Sequence, residues 1–514
     1  KEMRQYEMCE LKLHGPVLTQ NYAAIDLTAT ISNANGSDSR KVKGFYAGDG
    51  EYRVRFLPKE AGTYTYTITG CITGEGSVCV EKATGHGMVK ADGQHFRFED
   101  GAVYHPFGTT VYALAHQEDS LVAETMETLS HSHFNKIRLC LFPKHYEYNH
   151  NEPKYYAFEK DEEGNWDVSR PCTAFWDDFE AKMCRLDEMG IQVDLILFHP
   201  YDRWGFAELS QKDNLTYLDY LLRRFAAYPF FWWSLANEYD LCYPHKTKEN
   251  FEEIEEYVAA NDPYHHLLSC HNCFAPWDFD RANVTHVSYQ TKALYHVADW
   301  YTRHQKPVMV DECCYEGNLP YLWGCITGEE MTSRFWSAVV SGGYCTHGET
   351  FLDEENEIVW WAKGGRLIGE SPKRIAFLKE FVYSLPGNIE PVQEGISGLF
   401  LHTEEEIREI ISKIPENLRA FAVSASAMTA AQREAMVAGE HVFSGRVGTQ
   451  VYLTYIDNFG TAEYVITLPV EGTYRVEVID TWEMTRSEVL NGVNGKVTVP
   501  LPGKTHMAIA AFAE

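Results

Sequence analysis

Hydrophobic and polar positions follow three different patterns along the 514-residue chain. In the first 92 residues they alternate over short runs, such as 23–32, 52–57 and 63–69, and glycine-containing turns separate these runs. A period of two over short, evenly spaced runs is typical of antiparallel strands that bury one face. We therefore predict an N-terminal β-sandwich over residues 1–92.

Between residues 93 and 387, short apolar runs alternate with amphipathic segments of helical period, such as 176–189 and 215–227. Eight strands that alternate with helices over roughly 290 residues indicate an α/β fold, a (β/α)8 TIM barrel. The eight predicted strands lie at about 105–112, 135–142, 191–199, 230–236, 266–269, 284–289, 306–312 and 343–350.

Residues 388–514 return to short strand patterns, for example at 451–456, 474–479 and 496–499. Glycine and proline separate these runs, which predicts a C-terminal β-sandwich. Two segments, 404–411 and 424–437, have the composition of helices. The sequence thus predicts three domains, with a barrel between two β-sandwich modules.

The net charge of −29 narrows the range of partners. An acidic surface repels nucleic acid and anionic membranes, so we expect neither as a partner. A neutral ligand such as a carbohydrate is compatible, and the aromatic content of 14% would suit stacking on sugar rings. Composition alone, however, favours large aromatic cores as the explanation of that content. The flanking sandwiches leave a homo-oligomer open.

The chain has 13 cysteines, an odd number, and several of them fall inside predicted strands. Such a pattern favours reduced thiols over a disulfide framework, and hence a cytoplasmic location. The pair Cys270 and Cys273 has CxxC spacing, but no second pair lies nearby, so we expect no metal site there. No apolar run approaches the roughly 20 residues needed to span a bilayer.

Two predicted strands end in carboxylates. The run 230–236 leads into Asn237 and Glu238, and the run 306–310 leads into Asp311 and Glu312. Side chains at the carboxyl ends of barrel strands meet on one face, where barrel enzymes place their catalytic groups. Two carboxyl groups at such a face are what cleavage of a glycosidic bond requires.

The two glutamates have different predicted roles. Glu238 would protonate the leaving oxygen, with its pKa raised by burial and by its ionised partner, and Glu312 would attack the anomeric carbon. We expect the carboxylates about 5–5.5 Å apart and the configuration to be retained. Asp311 points to the opposite side of its strand, and we interpret it as structural. Glu316 is a rival nucleophile, but it lies in a loop beyond the strand end.

These residues resemble the pattern of clan A glycoside hydrolases, in which Asn-Glu ends the fourth barrel strand and Glu ends the seventh. The resemblance implies that Asn237 bonds the sugar 2-hydroxyl, and that Arg138 in 135–139 steadies the nucleophile. His199 resembles a histidine at the third strand end, and Tyr289 resembles a sixth-strand tyrosine that bonds the nucleophile. A buried arginine such as Arg138 also needs a carboxylate partner.

The resemblance extends to the apiosidase-like branch of these barrels through the segments 361–365 and 369–375. The segments 44–56 and 479–485 are similar to sandwich modules that flank uncharacterised members of this group. Trp360 and Trp361 fall near the position of an eighth-strand tryptophan that floors the sugar site. Further aromatic and polar residues near strand ends are candidate walls of the substrate cavity: Trp204, Tyr112, His116, His271, Gln290 and Tyr315.

We therefore expect a retaining, exo-acting glycosidase that needs neither metal nor organic cofactor. Two other classes remain open. A metal-dependent barrel hydrolase would need His-x-His at the end of the first strand, where only His116 is present. A non-catalytic carbohydrate-binding barrel would not need both glutamates.

Overall fold

The computed structural model describes residues 2–352, 359–392, 399–400, 402–438 and 442–514. The chain forms two compact units. Unit 1 contains Lys1–Asp92, Phe96–Ser288 and Leu352–Leu367, and unit 2 contains Gly93–His95, Tyr289–Phe351 and Ile368–Glu514.

The N-terminal part of unit 1 consists of short strands, as its period of two predicts. One sheet has five strands in the order Met3–Arg4, Gly74–Glu81, Gly62–Gly70, Leu27–Asn33 and Ser39–Lys43. A second sheet has three strands in the order Cys9–His14, Glu51–Phe56 and Phe45–Gly48. Two further strands, Val89–Asp92 and His95–Phe98, follow. That the two sheets form a sandwich stays a prediction.

Five parallel strands follow in unit 1, and we number them β1 to β5. They are Gly108–Thr110 (β1), Lys136–Cys140 (β2), Gln192–Phe198 (β3), Phe231–Ala236 (β4) and Leu268–Ser269 (β5). They lie side by side in chain order, with Arg138 of β2 opposite Thr110 of β1 and Asp194 of β3. Their residues are almost entirely buried, as expected of a parallel sheet covered on both faces.

Three more strands complete the set of eight. β6 (Val287–Gln290) spans the point in the chain where unit 1 gives way to unit 2, and β7 (Val308–Glu312) and β8 (Tyr344–His347) belong to unit 2. β7 and β8 pair in parallel, with Met309 opposite Tyr344. Two short strands, Glu316–Gly317 and Glu349–Thr350, also pair in parallel beyond the ends of β7 and β8.

Helices separate most of these strands. They are Asp119–Ser130 (α1), Thr173–Glu188 (α2), Gln211–Phe225 (α3), Lys248–Asn261 (α4), Val297–His304 (α5), Gly328–Val340 (α6), Trp360–Lys363 (α7) and Ser371–Tyr383 (α8). Side-chain caps fix several starts: Ser210 accepts from the Asp213 amide before α3, and Thr247 with Asn250 forms a capping box before α4. The mixed α/β fold thus has eight parallel strands in the chain order of a (β/α)8 barrel, although no helix separates β5 from β6.

The last part of unit 2 contains helices and a sheet. The helices Glu404–Ile411 (α9), Glu416–Ala427 (α10) and Ala430–Val437 (α11) confirm the helical character predicted for 404–411 and 424–437. The sheet order is Glu390–Pro391, Val442–Val447, Val451–Ile456, Met507–Ala513, Tyr474–Asp480 and Thr485–Val493, and Glu463–Thr467 pairs separately with Lys496–Pro500. The three-domain division and the C-terminal sandwich stay predictions.

The structure bears on two expectations from the sequence, those on disulfides and on membrane-spanning helices. No disulfide links the cysteines among the described residues. Within the same ranges, none of the helices combines the length and apolarity that a bilayer crossing requires.

Candidate active site

Glu238 lies just beyond the carboxyl end of β4, in unit 1. Residues 231–236 are buried throughout, and the Asn237 amide continues the ladder by donating to the Phe198 carbonyl at 3.0 Å. Glu238 then adopts φ +55° and ψ +57°, a left-handed conformation that is uncommon outside glycine. Such backbone strain concentrates at functional sites, because surrounding structure must hold the residue there. This left-handed conformation turns the chain at Glu238 away from the direction of β4.

Asn237 is fixed by side chains from two other strand ends. Its Oδ1 accepts hydrogen bonds from the Tyr112 hydroxyl at 3.1 Å and from Arg138 Nη2 at 3.3 Å. Arg138 Nη1 also donates to the Tyr112 hydroxyl at 3.1 Å. Because both donors hold Oδ1, the amide nitrogen of Asn237 is the group oriented to donate elsewhere.

Arg138 has the carboxylate partner that its burial demands. Asp194, opposite it on β3, lies with Oδ2 3.8 Å from Arg138 Nε and 3.0 Å from Lys136 Nζ. All three side chains are buried. One carboxylate between two cations fixes the position of the guanidinium, since a buried charge is costly unless it is paired.

Tyr201 reaches Glu238 from the loop after β3. Its hydroxyl donates to Glu238 Oε2. His199 lies behind it: Nδ1 accepts from the Tyr201 amide at 3.1 Å, and Nε2 donates to the Phe142 carbonyl at 3.1 Å. Burial, with the nearby Lys144 cation, lowers the pKa of His199 to about 3, so its ring is neutral. These contacts make His199 a support for Tyr201, and direct substrate binding by His199 stays a prediction.

Lys144 is a buried cation enclosed by aromatic rings. Its Nζ lies 3.9 Å from the ring centre of Tyr112, 4.3 Å from Tyr146, 4.4 Å from Tyr201 and 5.5 Å from Trp361. Within the described residues, no oxygen accepts a hydrogen bond from its ammonium group. Burial lowers the pKa of Lys144 to about 8, while the Cys140 thiol and the Glu238 carboxylate oppose this shift.

Cys273 also lies beside Glu238. Burial and a side-chain hydrogen bond to that carboxylate raise the pKa of Cys273 to about 12, which keeps the thiol protonated. Cys270 is fully buried, and burial raises its pKa well above the usual value. Both sulfurs are therefore thiols at neutral pH in this structure.

The other wall candidates of unit 1 differ in how they are held. Trp361 is one of the four rings around Lys144. Its ring is edge-on to that of Tyr146, with the ring centres 5.2 Å apart. Trp360 is fully buried and donates to Thr109 Oγ1 at 3.0 Å, which is a core position. Trp204 is half-buried and donates to Glu152 Oε2 at 2.8 Å. A role of Trp360 as a sugar floor therefore has no support in its contacts.

Two histidines among the wall candidates are buried. His116 stacks on Phe175 at 6.0 Å, and burial lowers its pKa to about 3. His271 is fully buried with Nδ1 3.3 Å from Ser288 Oγ. Both rings are therefore held by protein neighbours, and their contact with a substrate stays a prediction.

Glu312 ends β7 in unit 2 and is buried. Its carbonyl accepts from the Thr291 amide at 2.9 Å, which ties the strand end to the segment after β6. Burial raises the pKa of Glu312 to about 8, and donors on Tyr315 and Trp323 partly oppose this shift. Trp323 Nε1 makes no hydrogen bond of good geometry with any described residue.

The remaining candidates of unit 2 surround this strand end. Asp311 accepts from Thr346 Oγ1 at 2.8 Å, and its structural role stays a prediction. Glu316 is bonded by the start of α8 and does not take the place of Glu312. Tyr289 stacks on Trp300 with ring centres 3.7 Å apart, and Gln290 is half-buried at the end of β6.

Sequence reasoning missed Lys144, Tyr146 and Trp323 and did not single out Tyr201. A signal was available for Lys144, since a lysine directly after an apolar strand stands at the functional end of a barrel. Tyr201 stands in 200–204, a loop rich in residue types that contact sugars. Trp323 lies 11 residues beyond Glu312 in a loop, where one sequence gives no such signal.

Comparison with known families identifies each part of the chain. Residues 90–367 match the model of the apiosidase-like catalytic domain. Residues 2–70 match a domain of unknown function, DUF5060, and residues 440–511 match another, DUF5605. None of the curated proteins compared with the chain matches it.

Solved structures show the same relationship. A candidate glycoside hydrolase of Bacteroides vulgatus is 31% identical, with 100% of both chains covered and a TM-score of 0.84. A glycoside hydrolase family 5 protein of the same organism is 12% identical over 83% of this chain and 94% of its own, with a TM-score of 0.60. This second likeness concerns the fold alone. The catalytic-domain match covers more than half of the chain, and the chain therefore belongs to the apiosidase-like family of glycoside hydrolases.

Proposed function

We propose that the protein is a retaining, exo-acting glycosidase in which Glu238 is the acid/base and Glu312 the nucleophile. The supporting observation is that two buried glutamates stand at the carboxyl ends of the fourth and seventh parallel strands. In parallel barrels this end of the strands carries the catalytic groups. A separation of about 5–5.5 Å between the two carboxylates stays a prediction.

The proposed reaction proceeds in two displacements. Glu312 attacks the anomeric carbon, the glycosidic bond breaks, and Glu238 gives its proton to the leaving oxygen. Water then attacks the glycosyl ester, Glu238 takes a proton from it, and Glu312 is released. The Tyr201 hydroxyl holds Glu238, and the Asn237 amide nitrogen is oriented to donate to a sugar hydroxyl.

The rise in the pKa of Glu312 to about 8 has a consequence for this scheme. A nucleophilic carboxylate must be ionised, so the ascending limb of activity against pH would lie above the ordinary range of a carboxyl group. A substrate that binds only to the ionised form of Glu312, or a cation close to its carboxylate, would shift that limb back to lower pH.

Glu238→Gln and Glu312→Gln test the two roles with aryl glycosides of a sugar that the native enzyme cleaves. Removing an acid catalyst typically lowers the rate about 10²–10⁴-fold. We expect Glu238→Gln to slow glycosides of poor leaving groups far more than those of nitrophenol. Glu312→Gln should lose turnover with every leaving group, whereas Glu463→Gln, which alters an exposed carboxylate, should keep its turnover.

Proton NMR of the first product tests retention, and the size of the product tests exo action. The proposal predicts release of a single sugar with the anomeric configuration of the substrate. A Glu312→Gln protein that hydrolyses aryl glycosides at the native rate, or an inverted first product, would overturn it.

A further inference from the structure

Three buried side chains with metal-ligating atoms meet in unit 2, in the segments that follow β7 and end β8. They are Glu316, His347 and Glu349, each at most 1% exposed. Glu316 and Glu349 stand opposite each other in the short parallel ladder beyond β7 and β8, and His347 ends β8. One ligand atom of each lies within 4.8 Å of those of the other two. We call these residues the Glu316 cluster.

Backbone amides at the start of α8 hold the two carboxylates in place. Glu349 Oε1 accepts from the amides of Ile368 at 2.6 Å and Gly369 at 2.7 Å. Glu316 Oε1 accepts from the Glu370 amide at 2.6 Å, and its Oε2 accepts from the Ser371 amide at 3.1 Å and the Ser371 hydroxyl. These bonds orient both groups without supplying a full positive charge.

The second oxygen of Glu349 is the unexplained part of the cluster. Glu349 Oε2 is buried and has no hydrogen-bond partner among the described residues. It lies 3.8 Å from His347 Nε2, too far for a hydrogen bond. A buried acceptor without a partner is costly, so a bound group that would satisfy it is a natural explanation.

Charge in the cluster is also unbalanced. Among the described residues, no lysine or arginine forms an ion pair with Glu316 or Glu349. His347 is fully buried at the end of β8, and an imidazole nitrogen is a common ligand of transition metals. Two buried carboxylates without a cationic side chain paired to them would be balanced by a bound cation.

We propose that Glu316, His347 and Glu349 bind one divalent transition metal ion of the Zn²⁺, Mn²⁺ or Fe²⁺ class. Imidazole favours these ions over Mg²⁺ and Ca²⁺, and two carboxylates neutralise their charge. Oxygen and nitrogen ligands about 2.0–2.2 Å from one ion lie at most about 4.4 Å apart, so shifts of a few tenths of an ångström bring all three to bonding distance. The amides of 368–371 serve as the outer hydrogen bonds that orient ligating carboxylates.

The ion would have a structural role. It would join the segments that follow β7 and β8 to the first turn of α8. The segment after β7 carries Tyr315, which hydrogen-bonds to Glu312, and its ring lies directly against Gly348, where a Cβ would come within 1.9 Å of it. Because this ion would be structural, the proposal leaves unchanged the expectation that the catalytic reaction needs no metal.

Metal content of the full-length protein tests the proposal. Protein produced in medium supplemented with Zn²⁺, Mn²⁺ and Fe²⁺, then desalted, should carry one equivalent of one of them by mass spectrometry. Glu349→Gln keeps the acceptor for the two amides but removes the charged ligand, and it should lose the metal, as should His347→Gln. His402→Gln, which alters an exposed histidine 3.4 Å from Glu406, is the matched control and should keep the metal.

A second measurement keeps the test decisive if the variants fail to fold. Dialysis of the native protein against a chelator should lower its melting temperature, and the same metal should restore it. X-ray absorption of the metal-loaded protein should show nitrogen and oxygen neighbours. Native protein without metal, metal retained by Glu349→Gln, or sulfur in the coordination shell would each overturn the proposal.

Discussion

At the scale of single residues, Lys144 is the most informative side chain that the sequence did not single out. A buried ammonium group surrounded by ring faces gains cation–π stabilisation, but its three donors still need oxygen partners. None of the described residues supplies one. Because Lys144 lies beside Glu238, we expect a sugar oxygen to be that partner, and the cation to act in binding rather than in stability.

Lys144→Met tests this role. Losing a hydrogen bond from a charged group costs about 1.5–3 kcal/mol, so we expect kcat/KM to fall about 10–100-fold. The melting temperature should stay the same or rise, since an apolar side chain of similar length replaces a buried charge. Lys182→Met is the matched control: its Nζ is bonded to Ala115 O at 3.0 Å and Asp178 at 2.6 Å, so stability should fall and kcat/KM persist. Equal loss of kcat/KM in both variants would contradict the assignment.

Glu312 gives a prediction about stability and pH. Its folded-state pKa of about 8 lies above the ordinary value of 4.5, so the folded protein binds the proton more tightly than the unfolded chain. The stabilisation of the fold that comes from protonated Glu312 is therefore complete below about pH 4.5 and is lost as pH rises through about 8.

Glu312→Gln removes the cost of ionising a buried carboxyl group. We expect its gain in unfolding free energy over the native protein to be small at pH 5 and larger at pH 8.5. Each pKa unit corresponds to about 1.4 kcal/mol, so the difference should be on the order of a few kcal/mol. Denaturant unfolding at both pH values measures it, with the exposed Glu463→Gln as control. A gain independent of pH would show that burial does not govern this carboxyl group.

Residue identity alone was enough for some of these assignments and not for others. An arginine inside an apolar strand requires a carboxylate, and Asp194 provides it. A histidine at a strand end does not say what its nitrogens bond to, and those of His199 bond to backbone groups. Trp360 and Trp361 are adjacent in sequence, but one lies in the core and the other beside Lys144, because a short helix turns them to different sides.

At the scale of elements, buried charges join the N-terminal sheets to the helices of unit 1. Arg55 of the strand Glu51–Phe56 forms two hydrogen bonds with Glu180 of α2, at 2.5 and 3.0 Å. Arg224 of α3 donates to the same carboxylate at 3.1 Å. Burial alone would raise the pKa of Glu180, but Arg55 and Arg224 outweigh it and hold the pKa below its usual value. The Glu180 carboxylate thus lies between two buried guanidinium groups, which also pair with Glu10 and Asp177.

Glu180→Gln should strongly destabilise the protein. Removing one partner of a buried ion pair costs about 3–5 kcal/mol, because the remaining charges stay buried. Asp177→Asn is the matched control: Asp177 bonds the same Arg224 at 2.5 Å, but its side chain is 53% exposed, so water can replace it. Urea unfolding measures both. Similar small losses for the two variants would mean that the network contributes little.

The elements themselves followed from the sequence more readily than their ends. Largely apolar runs such as 231–236 and 192–198 predict buried parallel strands, and the structure has them there. The first strand is shorter than predicted, Gly108–Thr110 within 105–112, although single backbone hydrogen bonds to β2 or its flanks continue at Phe107, Val111 and Tyr112. The short ladder that pairs Glu316 with Glu349 has no periodic signal, since two-residue strands are too short to show one.

At the scale of the whole molecule, the C-terminal sheet and the strand that carries Glu312 belong to the same compact unit. The Tyr455 hydroxyl donates to Ser333 Oγ of α6 at 2.8 Å, and Ser333 donates to Asp457 at 2.5 Å. Arg374 of α8 lies 3.3 Å from the ring centre of Trp482 and donates to its carbonyl at 2.8 Å. The helices that cover β7 and β8 thus use the sheet as part of their core.

We therefore expect a chain truncated after residue 387 to lose the fold of its catalytic region, although the sequence places a domain boundary there. Truncation exposes the buried faces of α6 and α8, which should cause aggregation or the loss of a cooperative unfolding transition. Trp482→Ala in the full chain is a milder version and should cost about 1–3 kcal/mol. Calorimetry and light scattering measure both. A truncated protein that stays monomeric with the native melting temperature would instead show that residues 388–514 form an independent domain, as the sequence pattern suggests.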